Sequence, residues 1–178
     1  MITSHVKIDA IKEGMPGITP AIGNYLYENC IVSLHRANHT DGVTLKVSGL
    51  VEDTCSLNWK EMVTDQMLRS YKDEIETTEQ GAVCISVLMA KLLTEYTIVE
   101  RSWHGTGIDY WLGYEEDPLF QRVARLEISG IKTESATNTV AARYDQKVRQ
   151  SEQSDDTLLP AYISIVEFSN PKILFNKK

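Results

Sequence analysis

The chain has 178 residues, of which 42% are hydrophobic, and it carries a formal net charge of −7. This length and apolar content support one well-buried core, so we expect a single globular unit with an appendage and no membrane-spanning segment. The acidic balance argues against a protein that coats nucleic acid, because neutralising phosphates requires many Lys and Arg residues, although a local basic face is compatible with it.

Residues 1–76 are predicted to form a β-rich extension. Five Gly and Pro breakers in residues 1–24 predict a lead-in loop. Short β-type runs follow in residues 25–59, beginning with Cys30–His35, and Asp41-Gly42 has the composition of a hairpin turn. We therefore expect a small antiparallel sheet in this part of the chain.

Residues 77–178 are predicted to form an α/β core. A weakly helical segment, residues 60–75, leads into it. The capping residues Thr77–Gln80 precede a long apolar run, which predicts a buried helix over residues 78–94. Three strands, an amphipathic helix with a cationic side and a last strand follow, and their predicted ranges are Tyr96–Arg101, Ile108–Gly113, Val123–Ser129, residues 138–150 and Ala161–Phe168.

Two acidic residues occupy related places in this order of elements. Asp109 begins the second strand of the core, after the glycine-containing segment that starts at Ser102, and Glu127 lies inside the third strand. The order helix, strand, strand, strand, helix, strand with these two acids resembles the PD-(D/E)XK restriction-endonuclease-like superfamily over about half of the chain. The segment from Ser102 to Asp109 is also similar to that of archaeal-type Holliday-junction resolvases within the superfamily.

The resemblance implies a restriction-endonuclease-like core, with a mixed central sheet flanked by helices, and a metal-dependent nuclease activity. It implies that Asp109 and Glu127 bind Mg²⁺ or Mn²⁺, with Glu79 in the preceding helix as a third ligand. The metal would polarise the scissile phosphate and generate hydroxide from bound water. The implied protein is a DNA endonuclease or nuclease subunit in restriction, repair or phage defence.

Position 129 departs from the pattern of the superfamily. Ser129 stands where the resemblance calls for lysine, and serine carries no cation to orient water or to stabilise charge at phosphorus. Some superfamily members place this function on the following helix, where Lys147 and Gln146 are the candidates. Lys132, just after the strand, is a third candidate. Relocation of the lysine and a catalytically degenerate site both stay open.

Each acid also has an ordinary structural interpretation. Asp109 follows a glycine loop, where an aspartate side chain commonly bonds the local backbone. Glu127 alternates with its apolar neighbours, so it would also suit the solvated side of an edge strand. The aromatic residues Trp103, Tyr110 and Trp111 suit either stacking on bases or packing in the core.

Two other functions compete with the nuclease hypothesis. One is a catalytically degenerate nuclease-fold subunit that acts in assembly or nucleic-acid binding. The other is a binding module that uses the surface of residues 25–59. Three widely spaced cysteines without a CxxC pair, together with the lack of a signal-peptide pattern, predict a cytoplasmic protein with reduced thiols. Protein partner subunits and self-association stay open.

Overall fold

The structure, a computed structural model, describes residues 5–178 and contains a mixed sheet with helices on both faces. Its strands are β1 His5–Lys7, β2 Val43–Gly49, β3 Asp53–Asn58, β4 Thr97–Arg101, β5 Tyr110–Gly113, β6 Ala124–Ile131, β7 Ala161–Glu167 and β8 Lys172–Lys177. Its α-helices are α1 Pro20–Arg36, α2 Asp65–Ser70, α3 Glu74–Leu93 and α4 Val140–Ser151, and two 3₁₀ helices span Ile8–Glu13 and Glu152–Thr157. The expected α/β class with a mixed sheet flanked by helices is confirmed.

The eight strands of residues 5–178 form one sheet in the order β1-β3-β2-β8-β7-β6-β5-β4. β4, β5 and β6 are antiparallel neighbours, and β6 and β7 run parallel to each other. β8 pairs antiparallel with β7 and parallel with β2. The strands of residues 1–76 and those of residues 77–178 therefore share a continuous hydrogen-bonded sheet.

The two faces of the sheet are covered by different helices. α1 and α3 pack against each other, and their apolar residues join Leu126 and Ile128 of β6 in the largest hydrophobic cluster. α4 covers the opposite face, where its side chains contact Ile131 of β6 and two isoleucines of β7. Because side chains alternate along a strand, Glu127 and Ser129 lie on the face that α4 covers.

β6 extends beyond its partner β5, and this extension positions the acidic residues. The pairing with β5 runs from Ala124 to Leu126, whereas β6 continues to Ile131. The backbone N–H groups of Ile128 and Gly130 lie on the β5 side of β6, beyond the point where the pairing with β5 ends. Carboxylates bond both groups, at 2.8 Å from Asp109 to Ile128 N and 2.9 Å from Glu79 to Gly130 N.

The core elements follow the predicted order. Four strands and the second helix are confirmed to within two residues at each end. The first helix begins at Glu74 and not at residue 78, because the Asp73 carboxylate caps the N–H groups of Ile75 and Glu76 at 2.9 and 3.1 Å. Thr78, predicted to lie at the capping sequence, instead donates to the carbonyl of Glu74.

The prediction of a strand at Cys30–His35 is wrong, because this segment belongs to helix α1. Thr19 caps the helix by accepting a hydrogen bond from Ile22 N at 3.4 Å, and Pro20 occupies its first position, where a missing N–H costs nothing. Buried residues recur three or four positions apart and face the core: Leu26, Tyr27, Cys30, Ile31 and Leu34. Packing of this face outweighs the local β preference of the Ile and Val residues.

Other parts of the predicted extension also differ from the structure. The described part of residues 1–24 includes β1 and a 3₁₀ helix, so the prediction of a loop there is wrong, and residues 1–4 lie outside the described range. Asp41-Gly42 precedes β2 instead of joining two strands, and the Asp41 carboxylate accepts a hydrogen bond from Trp59 N at 2.9 Å. The weakly helical character expected of residues 60–75 is observed in the short helix α2. In residues 77–178, β8 is a strand that the sequence did not predict.

Candidate functional site

The acidic pair is Asp109 and Glu127, and both side chains are held by groups of the fold. Asp109 lies just before β5, and its Oδ2 accepts the hydrogen bond from Ile128 N. Its own backbone N–H donates to the carbonyl of Leu126 at 2.9 Å, which fixes the residue against β6. Glu127 is 1% exposed, on the face of β6 that α4 covers. The two carboxyl groups are close enough for the charge of Asp109 to raise the pKa of Glu127.

The surroundings of the pair disfavour two negative charges. Burial raises the pKa of the Glu127 carboxyl to about 8, and the charge of Asp109 adds to this effect, while the charge of Lys147 opposes it. Burial also raises the pKa of Asp109, against the hydrogen bond from Ile128 N and the charge of Lys147. Carboxyl groups whose pKa values are raised by burial, one of them also by the charge of its neighbour, beside an open pocket are typical of functional sites.

Two side chains from α4 approach Glu127. Lys147 Nζ lies 2.6 Å from Glu127 Oε1, and Gln150 Nε2 donates to the same oxygen at 2.9 Å. Lys147 also donates to Gln150 Oε1 at 3.2 Å, so these three side chains form a closed triangle of hydrogen bonds. The helix after β6 therefore supplies a cation and an amide to the buried carboxylate.

Glu79 is placed in a separate cluster further along β6. Its carboxylate accepts hydrogen bonds from Gly130 N and from the hydroxyl of Ser129 at 3.3 Å. Arg143 of α4 donates to Ser129 Oγ at 2.9 Å and lies 3.9 Å from the Glu79 carboxylate. Ser129 thus connects an acid of α3 with a cation of α4.

The other predicted catalytic candidates lie away from the acidic pair. Lys132 forms an exposed ion pair with Glu74. Gln146 is on the exposed side of α4, whereas Lys147 and Gln150 are turned toward the sheet. Of the six predicted site residues, the structure brings Asp109, Glu127 and Lys147 together.

A pocket of about 520 Å³ opens beside the acidic pair. Asp109 and Glu127 line it together with Gln150 and Gln153, which come from α4 and the 3₁₀ helix that follows. The opposite side is formed by the loop between β4 and β5, with Arg101 at its start. Asp109 is therefore accessible to a small ligand or to part of a larger one, while Glu127 lies behind the pocket surface.

The donor set of the pair suits a hard divalent cation. Glu127 Oε2 is buried, and no hydrogen-bond donor in residues 5–178 reaches it. An added cation would satisfy this oxygen and offset the repulsion between the two carboxylates. Within the described residues, however, no group of three or more His, Cys, Asp or Glu side chains is arranged to hold a metal. A cation at the pair would therefore keep several ligands from water or substrate, as Mg²⁺ commonly does.

Gln150 and Arg143 belong to these two clusters, although they were not predicted as site residues from the sequence. The signal was available in the helical period, since Arg143, Lys147 and Gln150 are spaced by four and three residues and share one side of α4. The interpretation of Glu127 as a solvated residue of an edge strand is wrong, because β7 pairs along β6 and α4 covers the side chain. The backbone-bonding role expected of Asp109 is observed in its bond to Ile128 N.

Comparisons with known proteins found no matching family model, no similar curated protein and no similar solved structure. Within residues 5–178 no helix combines the length and the apolar character that a membrane crossing demands.

Proposed function

We propose that the protein is a divalent-metal-dependent phosphodiesterase that cleaves nucleic acid, as a DNA endonuclease or a nuclease subunit. The observation that carries this proposal is the pair of a partly buried Asp109 and a buried Glu127, which lines an open pocket and has Lys147 bonded to an oxygen of Glu127. The order of elements from α3 to β7 supports it further, because the resemblance to the PD-(D/E)XK superfamily rests on that order. β4 and β5 pair antiparallel, β5 and β6 pair antiparallel, and β6 and β7 pair parallel, which gives the mixed sheet that the resemblance implies.

Asp109 and Glu127 would hold the metal, Mg²⁺ or Mn²⁺, which when bound supplies polarisation of the phosphate and a bound water of lowered pKa. The residues of the chain provide the placement. Ile128 N fixes the Asp109 carboxylate at the edge of β6, and Gln150 orients the Glu127 carboxylate. These fixed contacts reduce the reorganisation that the site would need during the reaction.

Lys147 is the residue that we assign to the function of the missing lysine. Its ammonium group lies beside Glu127, although it is carried by α4 instead of by β6. Lys147 does not itself line the pocket, so its charge would act on a phosphate there across Glu127, which does. Ser129 cannot act in this way, since its hydroxyl is buried and bonded to Glu79 and Arg143.

The proposal is tested by incubating the purified protein with Mg²⁺ or Mn²⁺ and with supercoiled plasmid, linear duplex, single-stranded DNA and RNA. We expect cleavage of at least one substrate, its loss in EDTA, and its loss in the Asp109→Asn and Glu127→Gln variants. Asp145→Asn is the matched control, because Asp145 is an exposed carboxylate on α4. Cleavage that survives in both site variants would contradict the proposal.

A second candidate function is a non-catalytic subunit that keeps the fold for assembly or nucleic-acid binding. The specific observation in its favour is that Lys147 and Gln150 already bond Glu127, while Glu79 is bonded elsewhere. This candidate predicts that no nucleic-acid form is cleaved, even when a partner protein that copurifies with the chain is present.

A further inference from the structure

The loop between β4 and β5 forms one wall of the pocket and is held closed at its base. Ser102 N donates to the carbonyl of Asp109 at 2.8 Å, which joins the two ends of the loop. The hydroxyls of Ser102 and Thr106 bond each other at 2.7 Å, and Thr106 also donates to the carbonyl of Trp103 at 3.0 Å. These bonds fix the backbone that carries Trp103.

The loop is also packed against α4. Gly107 has a φ of +71°, and a Cβ added there would lie 2.1 Å from the carbonyl oxygen of Gln150. A glycine is therefore required at this contact, both for the left-handed backbone and for the close approach. This contact joins the loop to the residue that orients Glu127, so the wall and the acidic pair form one unit.

Trp103 is exposed although its loop is anchored. Its side chain is 78% exposed, whereas Trp111, which follows in β5, is 5% exposed and packs with Val99 and Ile108. Large aromatic side chains are usually well covered in folded proteins. An exposed indole on a fixed backbone, in the wall of a pocket, is consequently available to a ligand.

The groups around Trp103 indicate the chemistry of that ligand. His104 is exposed next to it, and the exposed, cationic residue Arg101 lines the same pocket. Aromatic and cationic side chains together bind the two parts of a nucleotide, because the base stacks on the ring and the phosphate meets the cation. A pocket of about 520 Å³ has the volume of a site for a small molecule and suits one nucleotide better than a whole duplex.

We propose that Trp103 stacks on an unpaired base and so directs single-stranded nucleic acid into the pocket with the acidic pair. This inference rests on the proposed function and adds the substrate class, namely a strand with an unpaired nucleotide next to the phosphate at the site. The contact is to the face of the base and not to its edge. It therefore selects unpaired over paired nucleotides without selecting a sequence.

Binding is measured by fluorescence anisotropy with three labelled probes of twelve units each: oligo(dT), oligo(rU) and a blunt DNA duplex. The protein carries Asp109→Asn and Glu127→Gln. These substitutions prevent cleavage and remove the repulsion between the two carboxylates and the phosphates of the probe. We expect at least one single strand to bind more tightly than the duplex, and the two single-stranded probes distinguish DNA from RNA. Adding Trp103→Ala should weaken binding of that strand about tenfold, the size expected for one stacked base.

Trp103→Phe keeps an aromatic face, so its affinity for the strand should lie within about threefold of that of the double variant that retains Trp103. Met62→Ala is the matched control, because Met62 is a large apolar residue that is 85% exposed and does not line the pocket. Quenching of tryptophan fluorescence by the same unlabelled strands, measured on the wild-type chain in EDTA, provides a second readout in case the combined variant is unstable. It should be lost in Trp103→Ala.

Three results would overturn this inference. They are equal affinity of the proteins with and without Trp103→Ala, a preference for the duplex, and no binding of either single strand. The inference and the proposed function fail in different ways. Stacking on Trp103 without any cleavage would remove the proposed function and leave the binding site. Metal-dependent cleavage, together with strand binding that Trp103→Ala does not weaken, would rule out the stacking site and leave the proposed function.

Discussion

Two clusters of polar side chains on β6 share the same arrangement of contacts but differ in charge and burial. In each, a carboxylate bonds a backbone N–H group on the free edge of β6 and α4 supplies a cation. The acidic-pair cluster has Asp109 on Ile128 N and Lys147 from α4. The serine cluster has Glu79 on Gly130 N and Arg143 from α4.

The clusters differ in the number and burial of their charges. The acidic-pair cluster contains two neighbouring carboxyl groups, and burial raises the pKa of both. One oxygen of Glu127 lacks a donor within residues 5–178. The serine cluster has a single carboxylate, which is 40% exposed and has a hydrogen-bond donor on each oxygen. A buried carboxyl oxygen without a donor, next to a pocket, indicates a binding site, whereas a carboxylate with a donor on each oxygen indicates a structural contact.

The largest expected difference between the clusters is in cleavage. Glu127→Gln removes a charge that only the metal-bound state would stabilise fully, so we expect activity to fall by about a thousandfold. Glu79→Gln keeps a side chain of the same shape in the serine cluster and should change activity less than about threefold. Initial rates on the best substrate measure both. A similar loss in the two variants would show that Glu79 belongs to the site.

The second difference is in the pH dependence of stability. The folded-state pKa of Glu127 is raised from 4.5 to about 8, so the folded chain holds a proton that the unfolded chain has released. This contribution is fully present below about pH 4.5 and is lost as the pH rises through 8. We expect the free energy of unfolding of the metal-free protein to fall by about 2–3 kcal/mol between pH 5.5 and 8.5.

Urea unfolding at these two pH values measures the decline. Glu127→Gln cannot ionise at this position and should show a smaller decline, while Asp145→Asn should behave like the wild-type chain. Mg²⁺ should restore stability at the high pH, since metal binding favours the ionised carboxylates. An equal decline in the wild type and in Glu127→Gln would assign the effect to other groups.

Removing each of the two cations of α4 should also affect Mn²⁺ affinity differently, by about tenfold for Lys147 and by less than about twofold for Arg143. Lys147→Met removes a charge that competes with a metal for Glu127, so we expect Mn²⁺ to bind about tenfold more tightly while cleavage becomes slower. Arg143→Met should leave both quantities within about twofold of the wild type. Mn²⁺ titration and initial rates test this pair of variants, and weaker metal binding in Lys147→Met would argue against the assigned role of Lys147.

The smallest expected effect is that of Ser129→Ala. The variant removes a buried hydroxyl that bonds Arg143 and Glu79, which should cost about 1–2 kcal/mol of stability. Cleavage should stay within about twofold of the wild type. Thermal unfolding with parallel rate measurements tests this, and a large loss of activity without a loss of stability would assign Ser129 a role in the site.

Much of the core could be predicted from the sequence because its elements carry local signals. The apolar run after Asp73, the strand patterns around Asp109 and Glu127 and the helical period of α4 each depend on residues close in the chain. Proximity of the two acids was expected only from the resemblance to the PD-(D/E)XK superfamily, which assigns both of them to one metal.

The remaining features depend on contacts between distant residues. Helix α1 contains Ile and Val, whose preference for strands was overcome by packing on α3. β8 was missed because its strand character depends on pairing with both β7 and β2. The separation of Glu79 from Glu127 could not be read from the chain either, since it results from the place where α3 crosses the edge of β6.

The central claim is that Asp109 and Glu127 bind one divalent cation together, and calorimetric titration with Mn²⁺ tests it most directly. The wild-type chain and Glu79→Gln should bind one Mn²⁺ per chain with similar affinity. Binding should disappear in the Asp109→Asn and Glu127→Gln double variant. Unchanged Mn²⁺ binding in the double variant, or loss of binding in Glu79→Gln alone, would contradict the claim.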